Sequence, residues 1–240
     1  METTPPKPVA ETVRHEITRL PELTRGRRFF RRLFRGFVRL LVRLLASVRV
    51  EGMENVNPQG PVLIVSNHLG DADWLVGLAF APYDVDTFVK AELYDYPVVG
   101  RLLEAYGVIW IHRGRADRRA IRSALEALER GRILAIAPEG RESVTGALEE
   151  GTGGAAYLAL KSGAPVQPVT FTGTENAAIF ANLKRLRRSR VSLTIGPAFQ
   201  FERPPNLRGA IESGTERIMH TLARQLPPEY RGVYQDRSDP

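Results

Sequence analysis

The chain has 240 residues, 43% hydrophobic and 25% charged, which suits one domain with a full core and excludes a wholly disordered protein. It contains no cysteine, which excludes a disulfide frame, a zinc-thiolate site and a cysteine nucleophile and fits a reducing compartment. The formal charge of +7 is unevenly placed: residues 1–50 hold 12 Lys+Arg against 4 Asp+Glu, a net of +8, and the rest of the chain nets −1. The basic character belongs to an arm, not to a basic domain.

Residues 1–24 read as a flexible leader, polar and punctuated by Pro5, Pro6, Pro8 and Pro21, unlike a cleavable signal peptide. Residues 25–50 then predict one amphipathic helix. Phe30, Leu33, Phe34, Phe37, Leu41, Leu44, Leu45 and Val48 recur at steps of three and four and fall in a stripe about 120° wide. Arg28, Arg32, Arg35, Arg39 and Arg43 centre on the other side, and they interrupt any run long enough to span a bilayer. An apolar face opposite an arginine face is the composition of a helix lying in a membrane surface. Phe30, Phe34, Phe37 and Leu41 are its candidate lipid contacts, with Arg32, Arg35 and Arg39 meeting an anionic bilayer. A helix packed on its own domain is the alternative. The apolar face argues against nucleic acid as the partner.

From residue 51 to 226 short apolar runs alternate with helix-length segments. Strands are expected at 62–66, 85–89, 107–112, 133–137, 166–171 and 191–195, and helices at 71–80, 95–105, 117–130, 152–162 and 208–225. The alternation predicts an α/β domain with a mostly parallel mixed sheet flanked by helices, followed by a polar tail at 227–240.

In such sheets, sites gather beyond the carboxyl ends of strands. Asn67-His68-Leu69-Gly70-Asp71-Ala72-Asp73 follows the strand VLIVS, Pro138-Glu139-Gly140-Arg141-Glu142-Ser143 follows ILAIA, and His112-Arg113 ends GVIWI. A lone H-x4-D is weak evidence. Positions i and i+5 lie on different helix faces, so His68 and Asp73 meet only if His68 stands in the turn and Asp73 in the first helical turn. Gly70 permits the bend and Asp71 is the candidate N-cap. An imidazole held by a carboxylate is a general base for a hydroxyl. A loop histidine bonded to backbone, beside ordinary helix-start acids, is the structural alternative. There is no G-x-S-x-G, no G-x4-G-K-[ST] and no ligand-spaced histidine cluster, so neither a serine elbow, a phosphate-binding nucleotide loop nor a metal is indicated.

These blocks together resemble the glycerolipid acyltransferase family, whose best-known members are bacterial 1-acylglycerol-3-phosphate acyltransferases. Asn67, His68 and Asp73 match its N-H-x4-D motif; Gly107 to Arg113 its second block; Pro138, Glu139, Gly140 and Ser143 its P-E-G-T-R-S motif; and Ala164 to Val169 its late proline motif. The resemblance covers roughly residues 50–175. It implies His68 as general base with Asp73 as partner, acyl-CoA or acyl carrier protein as thioester co-substrate, no cofactor or metal, and a lysolipid acceptor. It also implies a peripheral or monotopic place on the cytoplasmic face of the cell membrane.

Acceptor contacts are then expected from Arg113, Glu139, Gly140 and Arg141, with backbone N–H groups near Gly140 as oxyanion donors. Two departures bear on the acceptor. Arg141-Glu142 stands where the family has Thr-Arg, and Glu149-Glu150 where it often has a lysine. Lysophosphatidate is the leading acceptor. A different lysolipid or hydroxyl lipid, an ornithine lipid among them, and a non-catalytic lipid-binding module are the alternatives.

Overall fold

The computed structural model describes residues 16–56, 59–112 and 117–237. The elements run α1 (Arg25–Leu45), β1 (Ala46–Glu51), β2 (Val62–Ser66), α2 (Asp71–Phe80), β3 (Val85–Lys90), α3 (Val99–Tyr106), β4 (Ile109–Ile111), α4 (Arg118–Glu129), β5 (Ile133–Ile136), α5 (Gly153–Ser162), β6 (Val166–Thr172), α6 (Asn176–Lys184), β7 (Ser189–Ile195) and α7 (Leu207–Gln225). The seven strands form one sheet in the order β1-β7-β6-β2-β5-β3-β4. All neighbours are parallel except β6 and β7, so β1 and β7 run against the other five. The α/β, mostly parallel expectation holds.

Strand residues alternate between two cores, as a pleated sheet requires. Leu63 and Val65 of β2 and Ile109 of β4 enter the core under α4, α5 and α7. Ile64 and Trp110, on the alternate positions, enter the opposite core under α1, α2 and α3. The connection out of β2 therefore leaves by α2 on one face, while that out of β5 leaves by α5 on the other. Neighbouring strands whose connections part in this way open a crevice at their carboxyl ends.

Several boundaries differ from expectation. The first helix ends at Leu45, and Ala46–Glu51 is an edge strand paired with β7. In ASVRVE the inward positions Ala46, Val48 and Val50 alternate with exposed ones, and β-branched valine suits a strand. Val48 thus faces the core from a strand, not a helix. Of the leader, residues 1–15 lie outside the described residues, but 16–24 are packed. Ile17 is buried in the core beside α1, and Arg130 and Arg132 bond Glu22 Oε1 and the Pro21 carbonyl at 2.8 and 2.9 Å. The polar tail after 226 is folded as far as Arg237. It forms 3-10 turns at Pro228–Tyr230 and Gly232–Arg237, and buried Tyr234 takes the Gly151 N–H on its hydroxyl. α3 starts at Val99, not 95, because a proline ring is tolerated only at a helix start and Pro97 precedes it. α6 was not expected: it buries no residue, so it carries no apolar stripe to read.

The faces of α1 also differ. Val38 and Val42 are buried against the domain, and so is Arg31, whose guanidinium meets Asp86 at 2.7 Å and the Tyr106 and Gly107 carbonyls at 2.8 and 2.9 Å. Phe30, Phe34 and Leu41 are half-buried; Phe34 packs its ring on Trp74 and Tyr106. Arg35 and Arg39 donate to the Tyr83 and Ala79 carbonyls. Phe37 and Arg32 are exposed. The open apolar stripe is Phe29, Leu33, Phe37, Leu40 and Leu44, rotated from the expected one. An apolar arc wider than one contact has been divided between the domain and solvent.

Candidate active site

His68 follows β2 in the turn, and Asp73 lies in the first turn of α2. Their contact is direct: Asp73 Oδ2 sits 2.9 Å from His68 Nδ1. The same oxygen accepts the Leu69 and Gly70 N–H groups at 2.7 and 3.0 Å, and Asp73 is buried. Three donors on one carboxylate oxygen fix Nδ1 as the protonated nitrogen and leave Nε2 as the basic edge. Gly70, not Asp71, is the N-cap residue. A Cβ there would stand 2.7 Å from Asn176 Oδ1 and 2.8 Å from the Thr174 carbonyl, so the close approach demands glycine. Asn67 is buried and exchanges two hydrogen bonds with the Phe171 backbone, Nδ2 to the carbonyl at 2.9 Å and the N–H to Oδ1 at 2.8 Å. It prolongs the β2–β6 pairing by one side chain and so sets where His68 begins.

The loop after β5 clasps this turn. Glu139 Oε1 accepts the His68 N–H at 3.0 Å, and Oε2 accepts the Glu149 N–H at 2.9 Å. The His68 carbonyl takes the Ser143 N–H at 2.7 Å. Glu139 is therefore a strut between two loops. Burial pushes its carboxyl up to about 7, against the opposing pull of those two N–H groups. Gly140 has a positive φ of 75°, a left-handed turn that favours glycine. Its N–H is bonded to the Ala137 carbonyl at 3.1 Å, so that amide is engaged in the turn.

Arg141 lines the cavity but pairs with Glu149 at 2.6 Å, and Glu149 is held below the usual carboxylate range chiefly by the Val144 N–H and also by Arg141. Arg113 lies outside the described residues. Asn176 Oδ1, which sequence reasoning missed, accepts the Asp71 N–H, and its Nδ2 donates to Glu142 at 3.1 Å.

His68 opens on a cavity of about 1540 Å³ whose walls are mostly apolar, among them Leu75, Leu78, Val169, Phe171, Ile121 and Leu125. Charged groups of both signs line it: Asp71, Glu139, Arg141 and Glu142 from the loops around His68, and Lys90, Asp117, Arg118 and Arg122 from β3 and α4. Lys90, Arg118 and Arg122 make no ion pair among the described residues. His112 also lines it, with Nδ1 3.0 Å from Asp117 Oδ2. This is a second H-x4-D at a strand end; the first motif's own spacing would have found it. Among the described residues no group of three or more His, Cys, Asp or Glu could hold a metal ion.

A carboxylate-held imidazole thus lines a mostly apolar cavity in the crevice of an open α/β sheet. The chain belongs to the acyltransferase family: the family model described as Acyltransferase matches residues 47–172. A lyso-ornithine lipid O-acyltransferase of Pseudomonas aeruginosa is 39% identical over 127 residues, 52% of this chain and 47% of that one. A 1-acyl-sn-glycerol-3-phosphate acyltransferase of Borreliella burgdorferi is 31% identical over 134 residues, 53% of this chain and 52% of that one. The chain thus spans about half the length of the curated relatives it matches. The crystal structure of the 1-acyl-sn-glycerophosphate acyltransferase PlsC from Thermotoga maritima superposes with a TM-score of 0.60 at 26% identity, covering 81% of this chain and 82% of that one.

Proposed function

We propose that the chain is an O-acyltransferase that moves a fatty acyl group from a thioester, acyl-CoA or acyl carrier protein, to the hydroxyl of a lysolipid. The observation that carries this is the His68–Asp73 dyad opening on a large apolar cavity. His68 Nε2 takes the hydroxyl proton as the acceptor oxygen bonds to the thioester carbonyl carbon. The C–S bond then breaks, and the imidazolium, stabilised by Asp73, returns the proton to the departing thiolate. No covalent acyl-enzyme is required.

Lysophosphatidate is the leading acceptor, giving phosphatidic acid. The names of the relatives support this class. The Arg141–Glu149 pair favours a second reading, because a guanidinium already held by a carboxylate at 2.6 Å is a weaker phosphate ligand, and an acidic bank suits the amine of a lyso-ornithine lipid. A lysolipid panel with labelled acyl-CoA and acyl carrier protein, read by mass spectrometry, decides between them. Acylation of lysophosphatidate above all others is expected, preference for the ornithine lipid would replace it, and no transfer to any lysolipid would overturn the activity.

The site works at a membrane surface in this reading, peripheral on its cytoplasmic face. No helix among the described residues is long and apolar enough to cross a bilayer. The support is the open stripe of α1 with exposed Arg28, Arg32 and Arg43 beside it. Leu33→Glu with Phe37→Glu should abolish sedimentation with anionic vesicles at low salt; unchanged sedimentation would remove α1 as the contact.

A further inference from the structure

Helix α6 and the turn after it carry a surface that the proposed reaction does not use. Phe180 and Leu183 are exposed on the helix, and Leu186, in the turn, is 94% exposed. The helix closes with the Arg187 N–H on the Asn182 carbonyl at 2.9 Å, a closure whose left-handed position is ordinarily glycine. Here that position is Leu186, at a φ of 51°. A backbone conformation that side chains rarely adopt thus holds an apolar group clear of its own domain. Around it Lys184, Arg185, Arg187 and Arg190 are exposed and make no ion pair among the described residues. No acidic residue occurs from 176 to 201.

Placement gives this surface its partner. Arg188 donates to the Arg43 carbonyl at 2.8 Å and to that of Ala46, which fastens the turn to the C-terminal end of α1. Leu40, Leu44 and Leu45, exposed at that end beside exposed Arg43, bring the open stripe of α1 to the same place. At its other end α6 starts beside the site. Asn176 accepts the Asp71 N–H and donates to Glu142, and Asp71 and Glu142 line the cavity. The nine residues of α6 span the interval, about 13 Å. We propose that α6 and its turn are a second lipid contact, with Phe180, Leu183 and Leu186 entering the boundary of an anionic bilayer and the surrounding cations meeting its head groups. The inference rests on the membrane-surface reading of α1 and extends it. A bilayer is the one partner that covers both apolar surfaces at once. A helix lying alone on a bilayer leaves its domain free to roll about the helix axis. A second contact, between that helix and the site, removes the freedom and turns the cavity rim toward the lipid.

The chain has no cysteine, so one introduced thiol carries a polarity-sensitive nitrobenzoxadiazole label at one place. The full chain is mixed with vesicles of equal parts phosphatidylglycerol and phosphatidylcholine. Labels on Leu186→Cys and Phe37→Cys should both shift to the blue and escape quenching by iodide. A label on Val233→Cys, exposed beside the opposite core, should do neither. Without any label, Leu183→Ser with Leu186→Ser should weaken sedimentation with these vesicles by about tenfold or more, through the lost burial of two leucines. Arg185→Gln with Arg187→Gln should weaken it only where phosphatidylglycerol is present. Entry of the Phe37 label alone overturns the α6 contact and keeps α1. Entry of the Leu186 label alone keeps α6 and removes α1, and entry of neither overturns both. A blue shift at Leu186 caused by acyl carrier protein, or by a higher concentration of the chain itself, but not by vesicles assigns the surface to a protein partner and overturns the proposal.

Discussion

Two H-x4-D segments in this chain fold into nearly the same local object, and their differences lie around it. Each places histidine at the end of a parallel strand and aspartate at the start of the next helix, with the ring nitrogen 2.9 Å from the carboxylate in one and 3.0 Å in the other. At His68 one oxygen of Asp73 does all the accepting, and Oδ1 has no partner among the described residues. At His112 both oxygens of Asp117 are used, one for the ring and one for the cap of α4. His68 lies where β2 and β5 part and keeps 18% of its side chain exposed, against 7% for His112 near the sheet edge. Spacing secures the orientation of a ring; the place in the sheet and the neighbouring charges decide its use.

The largest expected effect separates the two rings. His68→Ala should lower kcat about 10²–10⁴-fold in a folded chain, the span for loss of a general base. Equal losses in His68→Ala and His112→Ala would erase the distinction. The aspartates should part in the same way: Asp73→Asn costs about 10²–10⁴ in kcat by spoiling the tautomer. Asp117→Ala instead costs about 0.5–2 kcal/mol of stability, seen in urea midpoints, through the lost cap of α4.

Arg141→Ala sharpens the acceptor side, with KM for lysophosphatidate rising about 3–10-fold and kcat held if the side chain binds phosphate in ground and transition states alike. Unchanged KM would leave Arg141 to its partner Glu149. The smallest effect concerns the strut. Glu139 is raised from 4.5 to about 7, so the folded chain keeps a proton that the unfolded chain releases. That contribution is complete below 4.5 and is lost as pH climbs through 7. Urea midpoints should therefore fall between pH 5 and pH 8, and Glu139→Gln should narrow the drop; an equal drop in the variant would assign it to other groups.

Much of this was legible because it depends on local pattern. Apolar runs such as Val62–Ser66 and Val166–Thr172 are buried on both faces and show as continuous hydrophobic strings. His68 and Asp73 were legible because a strand, a turn glycine and a helix start leave one way for them to meet. What failed depends on partners far along the chain. Ala46–Glu51 becomes a strand only because β7, more than 140 residues later, offers it an edge. The tail packs because Leu148 bonds Tyr230 and Val233 through its backbone. Glu139 was expected as an acceptor contact and does line the cavity; what the sequence left unread is the pair of backbone N–H groups that its carboxylate accepts.

The divided helix α1 has a further consequence. Its inner face carries Arg31, which neutralises buried Asp86, and its end runs straight into an edge strand. Deleting it would strip a buried carboxylate of its principal partner, a loss of about 3–5 kcal/mol, and remove the helix that leads into β1. The helix is a keel rather than a tether: the surface proposed to bed in lipid and the surface that closes the core belong to one rigid rod. In the proposed docking, the rod's own thickness, about 10–12 Å with side chains, sets a fixed standoff between the domain and the hydrocarbon boundary. A lysolipid would have to rise by about that height to reach His68, drawing its chain from the bilayer into the apolar cavity as it comes.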